Sequence, residues 1–183
     1  MEQLSRRLID VVKDDNASSL PLMHSRLASH NRTINLLDQE FDLLIGSLRK
    51  LTTSVPLDLL YKPTRATTIG ENILRSAGAV EQTFGGISSN LWDDPFEWTL
   101  PETLSTPQRI LEYLTEVEAS KSNAFRSFAD DDALQKLVAI PSGDTCTLLE
   151  LLVKTLGRAC DYRGRAVAML KLLSDVSGGG FII

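Results

Sequence analysis

Histidine, cysteine and long apolar runs are all scarce in this 183-residue chain, and each scarcity removes a class of function. The only histidines are His24 and His30. Their six-residue spacing does not bring two side chains together on a straight helix, so both are read as surface or loop residues. Cys146 and Cys160 are the only cysteines, set in apolar surroundings without a Cys-x-x-Cys spacing. They are expected to be reduced thiols in or beside the core, which excludes a disulfide framework and a structural zinc site. No run of about 18 apolar residues is present to span a bilayer. The net charge of −5 leaves no clustered basic surface for DNA or RNA, and no polybasic patch for a membrane. Near the start, Leu8-Ile9-Asp10-Val11-Val12-Lys13 is too interrupted for a signal peptide, so a cytoplasmic location is expected. Missing too are a Ser-His-Asp set, a Cys-His pair and a glycine-rich phosphate loop; no cofactor is expected.

What is present is an ordinary globular composition, 43% hydrophobic and 23% charged, long enough for one domain with a real core. Four long segments carry helical periodicity and none alternates as a strand. The first runs from about Ser29 to about Thr52, with Ile34, Leu37, Phe41, Leu44, Ile45, Leu48 and Leu51 stepping by three and four. The second opens at the capping-box spacing Thr68-Ile69-Gly70-Glu71 and is expected to stop at Gly85-Gly86. Thr106-Pro107 starts the third, a cap followed by proline where its missing N–H costs nothing. A second capping box, Thr147-Leu148-Leu149-Glu150, starts the fourth, which runs to about Ser174. Ahead of these lies a weaker amphipathic piece with Leu4, Leu8, Val11 and Val12 on one side.

The links between helices carry topology. The stretch between the second and third helices, with Trp92, Phe96, Trp98 and Pro101, is long enough to cross a bundle end to end. Its aromatic residues are expected to tie it to the bundle surface rather than to stack nucleobases. The other links, with Pro56, Pro63 and Pro141-Ser142-Gly143, are shorter and suit antiparallel neighbours. The expected fold is therefore all-α, a four-helix bundle ordered up-down-down-up. Residues 1–28 form an N-terminal helical extension, 29–176 the bundle and 177–183 a flexible glycine-rich tail.

Several stretches, in order, resemble the DinB/YfiT-like superfamily of four-helix bundles over roughly Asn31 to Leu173. They are Thr67-Thr68-Ile69-Gly70-Glu71-Asn72-Ile73-Leu74, Pro95-Phe96-Glu97-Trp98, Thr106-Pro107 with Ile110-Leu111-Glu112-Tyr113-Leu114, Thr147-Leu148-Leu149-Glu150-Leu151-Leu152, and Tyr162-Arg163-Gly164-Arg165. In metal-binding members, one histidine from helix two and a His-x-x-x-His pair from helix four hold a divalent ion. The resemblance puts those positions at Ser76, with Arg75 beside it, and at Arg158 and Tyr162. None is a good neutral ligand, and a guanidinium would repel the ion. No metal is expected.

The remaining polar residues of the bundle have their own readings. Asp161 falls on a solvated stripe with Glu150, Lys154 and Arg165, in the favourable pairs Glu150→Lys154 and Asp161→Arg165. Arg163 lies near the centre of the apolar arc and is expected to form a buried ion pair with Glu81, Glu116 or Glu118; an anion anchor is the functional alternative. Gly157 and Gly164 are read as permitting close helix approach, and Lys121 as a snorkelling chain at the stripe's edge. The favoured function is a non-metal binding or interaction protein, with a homodimer or a small anionic ligand as partner. A metal-free transferase- or hydrolase-like enzyme is the alternative, with Tyr162 as proton donor, Arg158 as anion clamp and Ser76 as polar positioner. The apolar tail Phe181-Ile182-Ile183 seeks cover on this chain or on a second copy.

Overall fold

The computed structural model describes residues 31–64, 67–98 and 100–176. The expected extension over 1–28, the tail over 177–183, and His24 and His30 lie outside the described residues. The described chain is mostly helical, with four long helices: α1 (Arg32–Ser54), α2 (Ile69–Ser89), α3 (Pro107–Ser127) and α4 (Leu148–Val176). Single helical turns at Leu57–Leu60 and Leu100–Thr103, and 3-10 turns at Pro95–Trp98 and Asp131–Gln135, lie in the links.

Local chemistry explains where the helices begin. In α2 the Glu71 N–H donates to Thr68 Oγ1 at 3.1 Å while the Glu71 carboxylate accepts from the Thr68 N–H, a complete capping box. Thr106 caps α3 ahead of Pro107. At α4, Thr147 Oγ1 accepts from the Glu150 N–H at 3.2 Å, while the Glu150 carboxylate is engaged by Lys154. The first helix is capped from far away in sequence. Its Asn31 makes no side-chain cap, and the Asp131 carboxylate accepts from the N–H groups of Thr33 and Ile34, both at 2.9 Å. A carboxylate there satisfies two orphan donors and meets the positive end of the helix.

Two expectations need correction. Helix α2 continues through Gly85-Gly86 and ends at Asn90, whose backbone is left-handed at φ 55°. Gly86 instead makes room for a neighbour: a Cβ there would collide with the Trp92 indole. The second correction is a small antiparallel hairpin, β1 (Leu137–Ala139) and β2 (Thr145–Thr147), with Val138 opposite Cys146. Three-residue strands are too short to show alternation in sequence. Pro141-Ser142-Gly143 turns between them, with Gly143 at φ 87°.

Contacts give the helix directions pair by pair. Asn72, Ser76 and Thr83 of α2 meet Met169, Ala159 and Thr155 of α4, so the two run antiparallel. Asp38 and Asp42 of α1 reach Lys121 of α3 while Arg49 reaches Glu118 and Thr115, again antiparallel. Between α2 and α3, Glu81 meets Tyr113 and Phe84 lies 5.5 Å from Phe125, so these two run the same way. Phe41 of α1 completes an aromatic cluster, edge-on to Phe84 at 5.2 Å. Burying rings of this size removes large apolar areas from water.

Candidate functional site

The small crevice where α2, α4 and the crossover meet is lined by Arg75, Ala79, Gln82, Asp94, Phe96, Arg158 and Tyr162. Helix periodicity assembles it. Positions 75, 79 and 82 step by four and three along one face of α2, and 158 and 162 by four along one face of α4. The crossover supplies the third wall and is pinned there. Gln82 Nε2 of α2 donates to the Trp92 carbonyl at 2.8 Å, while inside the crossover Asp94 Oδ1 accepts from the Phe96 N–H at 2.9 Å and fixes its turn.

Two guanidinium groups dominate the crevice. Arg158 Nη2 donates to Gln82 Oε1 at 3.0 Å and to the Ala79 carbonyl at 3.4 Å. The Arg75 guanidinium sits 3.8 Å above the Phe96 ring, a cation–π contact. Its Nε is buried with no hydrogen-bond partner. Among the described residues the ion pairs involve Arg49, Lys121, Lys154 and Arg165, and neither Arg75 nor Arg158 joins one. The crevice measures about 30 Å³. A water needs about 10–15 Å³ on this measure, so the space admits two oxygen atoms and not a whole metabolite.

Of the three residues expected at the lost metal position, Arg158 and Tyr162 come together here and Ser76 does not. Ser76 is fully buried on the α2–α4 seam, where its hydroxyl donates to the Ala159 carbonyl at 2.7 Å. One residue is a 100° turn on a helix, which swings Ser76 onto the seam and Arg75 into the crevice. No group of three histidine, cysteine, aspartate or glutamate side chains able to hold a metal occurs among the described residues. Asp161 is exposed and pairs with Arg165, and Glu150 with Lys154. Cys146 and Cys160 are free thiols.

The buried ion pair expected for Arg163 is replaced by other partnerships. Arg163 is half-buried at a groove beside α1, and its Nη1 donates to Ser47 Oγ at 3.4 Å. Its long stem carries the charge out of the apolar arc to water. Glu81 accepts from the Tyr113 hydroxyl instead, and Glu118 accepts from Arg49 at 2.7 Å. Burial pushes the Glu81 carboxyl up, the Tyr113 hydrogen bond opposes this, and the Glu116 charge adds to the rise. Burial likewise raises the Tyr113 hydroxyl, reinforced by the charge of Glu81. Gly157 and Gly164 face open space and bring no helix close among the described residues.

Among the described residues the buried cation is Lys121. It is 2% exposed, and its Nζ donates to Asp38 at 2.5 Å and Asp42 at 2.6 Å. It does not snorkel. Desolvation pulls its pKa down, but the hydrogen bonds and charges of the two aspartates outweigh that and hold it above the ordinary lysine value. Asp38 and Asp42 stand four apart on α1, a spacing that could have announced the pair.

Comparison with known proteins finds no counterpart: no family model, no curated protein and no solved structure matches the chain. Among the described residues, no helix is long and apolar enough to cross a membrane.

Proposed function

We propose that this chain is a DinB-like four-helix bundle, ordered up-down-down-up, that binds a small anionic group without a metal. Arg75, Arg158 and Tyr162 hold the anion. The antiparallel α1–α3 and α2–α4 pairs and the parallel α2–α3 pair support the bundle order. The observation that carries the binding function is the pair of guanidinium groups on one crevice, with no carboxylate ion-paired to either. A buried polar atom without a partner calls for an explanation, and the Arg75 Nε, with two guanidinium groups that no carboxylate pairs, suits an incoming acceptor. The metal-free enzyme gains nothing comparable, because the Ser76 hydroxyl is committed to a backbone carbonyl.

Titration calorimetry with acetate, at constant ionic strength, tests this. Acetate is expected to bind at one site, and Arg75→Gln or Arg158→Gln to weaken it about ten-fold or more. Equal binding to the double variant, or none to the native chain, overturns the reading. Stoichiometric transition metal in the purified protein overturns its metal-free part.

The expected homodimer has a separate face. Leu43 is 66% exposed beside a groove of about 660 Å³ that is also lined by Asp42, Gly46, Lys50 and Arg163. Asp42 and Lys50 stand four residues either side of Gly46, whose outer face is open. Two copies of α1 crossing antiparallel at Gly46 bring each Asp42 to its partner's Lys50, a self-complementary isologous contact. Sedimentation equilibrium should find a dimer that Lys50→Glu converts to monomer. A native monomer throughout about 1–100 μM, a range in which specific interfaces of ordinary size associate, sinks it.

A further inference from the structure

We infer that the anion crevice is the polar end of a two-part site whose ligand is a monocarboxylate bearing an apolar tail or ring. This rests on the anion-binding reading above and names its ligand class. A second cavity of about 240 Å³ adjoins the crevice, and Gln82 and Arg158 wall both. Trp92, Ile140, Pro141 and Leu151 line this second space, so it takes its apolar character from α4, the crossover and the hairpin turn.

The polar atoms around the second cavity are already spoken for. Thr83 and Thr155 hydroxyls bond each other at 2.7 Å, and Thr155 also donates to the Leu151 carbonyl at 2.9 Å. The Trp92 Nε1–H donates to Asn90 Oδ1 at 3.0 Å. Lys154, at the rim, pairs with Glu150 at 2.6 Å. A tail entering this space therefore meets methyl groups and an indole ring without stripping a needed partner from any of these groups. On the measure used for the crevice, at about 10–15 Å³ for each water-sized group, the cavity has room for roughly sixteen such groups or more.

The crevice selects the head group. Its volume suits two oxygens, and Asp94 shares its wall with the two arginines. Two positive charges and one negative leave a single net positive charge, which matches a monoanion and disfavours a phosphate dianion. The planar fork of a guanidinium fits a carboxylate edge.

Titration of the full chain with acetate, butyrate, hexanoate and octanoate provides the test. Affinity should rise about two- to four-fold per methylene along the series. Arg158→Gln should weaken every member of the series. Ile140→Asn should bring the octanoate-to-acetate ratio towards one, and Pro141→Asn, at an exposed turn position that is safe for folding, should lower it. Acetate binding with no gain along the series overturns the tail site and leaves the anion reading standing. Failure of the whole series overturns both. A full gain persisting in both hairpin variants puts the tail elsewhere and overturns the inference.

Discussion

Lys121 and Arg158 are both cations reaching across a helix–helix seam, but their surroundings have opposite electrostatic logic. Lys121 of α3 is sealed from water and met by two carboxylates from α1, Asp38 and Asp42, which are themselves half exposed. Arg158 of α4 is exposed and met only by the neutral Gln82 amide and a backbone carbonyl, with Arg75 facing the same space. A buried ammonium without counter-charges would be intolerably costly, so the α1–α3 seam had to supply them. A guanidinium open to water carries no such obligation, and its free donors remain available to something outside the chain. The first arrangement stabilises a fold. The second turns guanidinium donors toward a crevice.

Removing each charge is the direct way to break this contrast, and it carries the largest expected effect. Lys121→Met should cost about 2–3 kcal/mol in denaturant unfolding, below the ~3–5 kcal/mol of a fully buried pair because both aspartates are partly solvated. Arg158→Met, which breaks no ion pair, should stay within about 0.5 kcal/mol, as surface substitutions do. Comparable losses in the two variants would mean that Arg158 is structural after all, and the binding proposal would lose its footing.

The same contrast marks what could be read in the chain before its structure. Stretches governed by local rules were legible: the Thr68–Glu71 box, the Thr106-Pro107 start, the buried stripe of α1, and the i,i+4 adjacency of Arg158 and Tyr162. Residues whose partners come from another helix were not. The helical wheel puts Arg163 in the buried arc, yet a long side chain escapes to the nearest groove, which a wheel cannot show. Lys121 departs from expectation in the opposite sense, although Asp38 and Asp42 stand in the sequence to be matched with it. Gly85-Gly86 looked like a helix stop because the Trp92 ring that needs Gly86 comes from the crossover. Ser76 and Arg75 differ by one residue, and only the packed seam decides which of them faces the crevice.

The smallest effect is also the most specific signature of a paired lysine. The Lys121 pKa is raised in the folded chain, so its contribution is intact below the unfolded value near 10.5 and is lost as pH rises through the higher folded value. Two tyrosines act in the same direction and must be subtracted. Burial, with the nearby Glu71 charge, pushes Tyr61 up to about 12, and burial also raises Tyr113, so ionising either hydroxyl opposes folding. Unfolding free energy followed from about pH 9 to 12, where the unfolded chain loses protons that the folded chain keeps, should fall more steeply for the native chain than for Lys121→Met. The residual slope of the variant should be that of the tyrosines and of Lys154, which its hydrogen bond to Glu150 also raises, and Arg158→Met should track the native curve. Parallel curves for native chain and Lys121→Met would show that the aspartates do not hold the ammonium in solution, and the distinction between a satisfied and an available cation would rest on Arg158 alone.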